Sequence, residues 1–99
     1  MSNRHSKGNR DKNEPEFRQV MDLCGVGYIA LSDGDGADFL LLTTPMVFLE
    51  VKNPAQKPSD RALTACEKAL QTECLERGIG YLVYEYAEQI NEYLVRCVS

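Results

Sequence analysis

Three side chains in the middle of this chain combine in a way that β-strands usually avoid. Asp38 follows the glycine-rich stretch Ser32-Asp33-Gly34-Asp35-Gly36, and Glu50 and Lys52 lie two residues apart near the end of the run Met46–Lys52. The two-residue period of a strand places Glu50 and Lys52 on one face, roughly 7 Å apart. Antiparallel pairing of Asp38–Leu42 with Met46–Lys52 across the turn Thr43-Thr44-Pro45 brings the start of one strand to the end of the other, and Asp38 to Glu50. Two carboxylates that close repel each other and need a cation. Mg²⁺ suits them, because it is held by one or two carboxylates while keeping waters and accepting phosphate oxygens. An ammonium at Lys52 orients or deprotonates a metal-bound water and neutralises charge on the transition state. The set is suited to hydrolysing a phosphodiester. A plainer reading stands beside it: Glu-x-Lys on an edge strand is a solvated face, and Asp after a glycine turn is turn chemistry.

The elements that must position these residues follow from local pattern. Asn13-Glu14-Pro15-Glu16 carries an N-cap, a first-turn proline and a capping-box glutamate, and Phe17, Val20, Met21 and Cys24 recur at helical spacing until Gly25. Strands are expected at Val26–Leu31, Asp38–Leu42 and Met46–Lys52, the last with Val47, Leu49 and Val51 on one face. Asn53 to Asp60 holds two prolines and no period, and reads as a loop. A second helix is expected over Leu63–Arg77, with Leu63, Cys66, Leu70 and Cys74 as its apolar stripe and Gly78 as its stop. Gly80–Tyr86 reads as a strand and Glu88–Cys97 as a closing amphipathic helix. The expected fold is α/β, in the order α-β-β-β-α-β-α, with a mixed central sheet flanked by helices.

Size and composition bound the possibilities. Ninety-nine residues make one domain, read as a basic tail over 1–13 and a single unit over 14–99. A chain this short buries only ~60–65% of its unfolded surface, which favours dimerisation as a source of extra stability. No apolar run approaches the ~20 residues of a membrane span. The polar stretch Met1 to Asn13 has no apolar core of a secretory signal, so a cytoplasmic protein is expected. Cys24, Cys66, Cys74 and Cys97 show no C-x₂₋₄-C spacing, and the single histidine, His5, sits in the tail; buried apolar roles are expected for the four thiols. The net charge of −4 argues against nonspecific nucleic-acid binding, but its distribution is uneven. Arg4, Lys7, Arg10 and Lys12 face only Asp11 in the tail, while the rest of the chain carries the acidic excess. Such a tail is a solubilising leader or a phosphate-seeking arm.

With these residues in view, the chain resembles the PD-(D/E)XK nuclease superfamily, and within it the VRR-NUC group. The matching stretches are Asn13-Glu14-Pro15-Glu16, Asp35-Gly36-Ala37-Asp38, Phe48-Leu49-Glu50-Val51-Lys52 and Leu63-Thr64-Ala65-Cys66-Glu67, spread over nearly all of Asn13 to Leu94. A standalone domain of this length is similar to phage-encoded members. The resemblance implies a restriction-endonuclease-like core and an endonuclease dependent on Mg²⁺ or Mn²⁺. It implies branched or structured DNA as substrate, and a homodimer whose two sites make the two cuts across a junction. It places Asp38 as the metal-binding aspartate and Glu50 and Lys52 as the E-x-K. Glu14 falls where related resolvases carry a first-helix glutamate, with Glu16 as its rival. Two positions depart from the family pattern. Ala37 replaces a proline, and Glu67 stands where members commonly carry glutamine three residues after Ser or Thr. Glu67 is then either the partner of Thr64 in a capping box or an added acidic group at the catalytic site.

Other residues enter with weaker grounds. Lys57, Arg61 and Lys68 flank the loop after the third strand and are candidates for phosphate contacts on DNA. Tyr81, Tyr84 and Tyr86 suit sheet core or a dimer surface better than base stacking. The competing function is a non-catalytic DNA- or protein-binding module on a nuclease-like scaffold.

Overall fold

The central strand decides the architecture, because it is buried on both of its faces. The computed structural model describes residues 14–32 and 34–98. The basic tail, the Asn13 cap and Asp33 of the glycine-rich turn lie outside the described residues. Helix α1 (Glu14–Leu23) leads to strands β1 (Tyr28–Ala30), β2 (Phe39–Leu41) and β3 (Val47–Val51). A single helical turn, α2 (Pro58–Arg61), precedes helix α3 (Ala65–Arg77), strand β4 (Gly80–Tyr84) and helix α4 (Ala87–Val98). The strands form one mixed sheet in the order β1-β2-β3-β4, antiparallel except for the parallel pair β3–β4 that α3 connects. Apart from α2, the elements follow the α-β-β-β-α-β-α order read from the sequence. The segment 53–60 is not wholly loop: Pro58, with its φ fixed by the ring, starts the one-turn helix.

Alternation along the strands sorts the side chains into two layers. Phe39, Leu41, Val47, Leu49 and Val51 point to one face and pack with Phe17 and Met21 of α1 and Ile90 and Leu94 of α4. Phe48, Glu50 and Lys52 belong to the other face by the same alternation, together with Tyr81, which pairs with Phe48 in the β3–β4 register. Helix α3 covers this second face. Its stripe is not the expected one: Cys74 is buried and Leu70 half-buried, but Cys66 is exposed and the third inward residue is Glu67. The cysteine expectation is corrected with it, since Cys24, Cys66 and Cys97 are all exposed and only Cys74 is buried.

Helix ends fall where glycine allows. Gly25 (φ 71°) closes α1, with Gly25 N–H donating to the Asp22 carbonyl and Val26 N–H to that of Met21. Gly78 (φ 73°) closes α3 with the same pair of bonds, to Leu75 and Cys74.

Candidate functional site

The site lies at the end of β3, where β2, β3, α3 and the glycine-rich turn meet. Phe39 pairs with Leu49 in the β2–β3 register, so Asp38 and Glu50 are the next residues along the two strands. Asp38 brackets Glu50 from both sides. Its N–H donates to the Leu49 carbonyl at 3.0 Å, and its Oδ2 accepts from the Val51 N–H at 2.7 Å. A buried carboxylate bonded to a backbone amide is held in one orientation.

Gly36 lets the turn approach α3. At φ +94° it adopts a left-handed backbone, and a Cβ there would stand 2.8 Å from Leu70 Cβ and 3.0 Å from the Cys66 carbonyl oxygen. The Tyr81 hydroxyl donates to the Gly36 carbonyl and ties the turn to β4. The turn, β3 and the first turn of α3 enclose a small polar cavity of about 20 Å³, lined by Ser32, Gly34, Gly36, Ala37, Glu50, Thr64, Cys66 and Glu67. That is room for a water or a bare cation. A larger cavity of about 250 Å³, lined by Gln71, Thr72, Leu75, Ile79 and Tyr81, lies farther along α3 and contains none of the acids.

Glu50 is the anomalous group. It is 1% exposed, and neither carboxylate oxygen accepts a hydrogen bond among the described residues. Lys52 Nζ lies 3.2 Å from Glu50 Oε2, close enough for an ion pair but not aligned for a hydrogen bond. Burial, with the charges of Asp38 and Glu67 added, pushes the Glu50 carboxyl up to about 9 against the opposing pull of Lys52. This environment favours the protonated form of Glu50 beside Glu67.

Glu67 answers both readings offered for it at once. It forms the capping box with Thr64, its Oε1 accepting from the Thr64 N–H at 2.8 Å, and the same oxygen accepts from Lys52 Nζ at 2.8 Å. Burial raises the Glu67 carboxyl, but the hydrogen bonds from Lys52 and from the Thr64 backbone outweigh it and hold the group below its ordinary value. Burial acts against the Lys52 charge, and the Glu67 and Glu50 carboxylates override it, so its ammonium is held above the ordinary lysine value. These contacts favour the ionised form of Glu67 as a counter-ion of Lys52.

The remaining candidates divide. Glu14 is buried at the start of α1, with Arg18 3.8 Å away, while Glu16 is exposed. Arg18 in turn lies over the Phe39 ring at 5.1 Å, so this end of α1 is seated against the strand from which Asp38 projects. Lys57 and Lys68 are exposed, whereas Arg61 is committed to Glu85 at 3.1 Å. Tyr84 packs on the core and Tyr86 is exposed.

A divalent cation is tested by the donors present. Among the described residues no three His, Cys, Asp or Glu side chains are grouped closely enough to hold a metal by themselves. Mg²⁺ and Mn²⁺ do not need three, since carboxylate pairs complete their shells with water and substrate oxygens. A buried carboxylate with two unbonded oxygens, beside a second carboxylate and a polar cavity, fits such an ion. No protein-family model matches the chain, and no curated protein or solved structure matches it. Among the described residues no helix is long and apolar enough to cross a membrane.

Proposed function

We propose that this chain is a divalent-metal-dependent DNA endonuclease that hydrolyses phosphodiester bonds. The observation that carries the reading is Glu50: a fully buried carboxyl neither of whose oxygens accepts a hydrogen bond, lining a polar cavity together with Glu67, with Asp38 beside it across the β2–β3 register and Lys52 3.2 Å away. An ionised carboxylate in that state is costly unless a cation joins it. Asp38 and Glu50 would hold Mg²⁺ or Mn²⁺, with Glu14 a further contact from the start of α1. The metal supplies a polarised water and neutralises charge on the phosphate. Lys52 contributes a fixed positive charge beside that phosphate. Its ammonium is held by the Glu67 carboxylate at 2.8 Å, so it acts as a hydrogen-bond donor rather than as a base. Branched DNA is the proposed substrate, and a homodimer would supply one site per strand. Lys57, Lys68 and the basic tail would meet the DNA backbone.

The test is cleavage of supercoiled plasmid and synthetic four-way junctions with Mg²⁺, with Mn²⁺ and with chelator. Cutting that needs the metal and is lost in Asp38→Asn and Lys52→Ala, both shown folded by circular dichroism, supports the reading. Cutting that survives both substitutions contradicts it. A second reading, a DNA-binding module that does not cut, is favoured by one observation: the Lys52 ammonium is already engaged by Glu67. It predicts salt-dependent junction binding without metal-dependent cutting.

A further inference from the structure

We propose that Glu67 is the positioning residue for Lys52, fixing the ammonium through a single carboxylate oxygen that is itself fixed by the backbone of α3. As a role in the reaction this rests on the nuclease reading, although the contact itself does not. Glu67 Oε1 accepts from Lys52 Nζ and from the Thr64 N–H, each at 2.8 Å. The lysine head is therefore referenced to the main chain at the start of α3 and not only to its own strand. An ordinary capping box is a surface device that satisfies two amides and needs no cation. This one is sunk against a sheet, with the Lys52 and Glu67 side chains 7% and 8% exposed.

The arrangement solves a specific problem. Lysine is a flexible point charge, and its other near partner, Glu50, is the group that a divalent cation would take. If Glu50 were the sole counter-ion, cation binding there would leave Lys52 facing a positive charge with no reason to stay. Glu67 lines the same cavity, but its Oε1 is already tied to the Thr64 amide and to Lys52, so an anion stays on the lysine when Glu50 changes partner. Glutamine at this position would still accept the Thr64 N–H through its amide oxygen, but would hold an ammonium far less strongly. Carboxylate chemistry at residue 67 is thus explained by the lysine and not by the helix cap.

Side-chain ¹⁵N NMR of the lysine ammonium reads this directly in the full chain. In the wild type, Lys52 gives a resolved ammonium signal, assigned by its absence in Lys52→Arg, because the buried hydrogen bond slows proton exchange. Glu67→Gln is expected to abolish that signal through fast exchange while the helix content stays. Thr64→Ala, which removes the hydroxyl half of the cap, is expected to retain it. Should Glu67→Gln not fold, Glu67→Asp serves, because the shorter carboxylate cannot reach both donors and must release the lysine. A Lys52 signal that is unchanged in Glu67→Gln or Glu67→Asp, or lost equally in Thr64→Ala, overturns the proposal. Normal cutting with Lys52 indifferent to residue 67 overturns this proposal and spares the nuclease reading. A chain that never cuts but releases Lys52 in Glu67→Gln upholds the positioning contact and overturns the nuclease reading. In a chain that cuts, Glu67→Gln is expected to lower kcat by at least tenfold with KM little changed.

Discussion

Leu49 and Glu50 are adjacent on one strand and equally hidden from water, yet they live on opposite faces of the sheet under different physics. Leu49 sits in an all-apolar layer with Phe17, Met21, Phe39, Ile90 and Leu94, where every buried atom adds to stability. Glu50 sits under α3 among Asp38, Lys52 and Glu67, where burial disfavours its charge and pushes the carboxyl up to about 9 against the pull of Lys52. One face holds the fold together. The other is held in place by it, and buries a carboxyl among charged neighbours.

The contrast is sharpened by substitutions of opposite sign. Leu49→Ala is expected to destabilise the protein by about 2–5 kcal/mol in denaturant unfolding. Its neighbour should do the reverse. Glu50 is raised in the fold, so its contribution to stability is full below its ordinary value of 4.5 and is lost as the pH climbs through about 9. The metal-free wild type should therefore lose thermal stability between pH 5 and pH 9, and Glu50→Gln should not follow that slope. At pH 9 the variant is expected to be the more stable by on the order of 1–3 kcal/mol, and at pH 5 the advantage should vanish. A Glu50→Gln protein that is less stable than wild type at both pH values would break the contrast between the faces.

Smaller effects probe the boundary between the faces. Gly36 and Gly34 have similar backbone angles, φ +94° and +91°, but a Cβ at Gly34 meets nothing within 4 Å. Gly34→Ala should cost only the left-handed penalty of about 1–2 kcal/mol. Gly36→Ala should cost more, because α3 must shift away from the turn, and it alone should also weaken cation binding. Calorimetry on the pair separates backbone strain from the close approach. Thr64→Ala should cost about 1 kcal/mol through the lost cap.

How much of this was legible in the sequence differs between the faces too. The apolar face declared itself, since Val47, Leu49 and Val51 alternate and Phe17 and Met21 are four apart, and Gly25 and Gly78 ended their helices as their freedom at positive φ predicts. The pairing of Asp38 with Glu50 and Lys52 followed from strand period and hairpin register. What stayed hidden was the orientation of α3. An apolar-stripe reading turned Cys66 inward, but it is exposed, and the face that meets the sheet carries Glu67, whose carboxylate meets Lys52. Local sequence showed the capping box of Thr64 and Glu67 and had no means of showing the ion pair of Glu67 with Lys52, which exists only once the β3–α3–β4 crossover is closed. The three exposed cysteines teach the same lesson: composition favours burial for cysteine, and placement decides it.

Seating of a divalent cation by Glu50 and Asp38, as proposed, can be read by calorimetric titration of Mn²⁺ into the metal-free chain at neutral pH, in buffers of different ionisation enthalpy. One Mn²⁺ per chain is expected to bind with release of a proton from Glu50, and that binding is expected to be lost in both Glu50→Gln and Asp38→Asn. Binding that is absent in the wild type, or equally strong in Glu50→Gln, would contradict it.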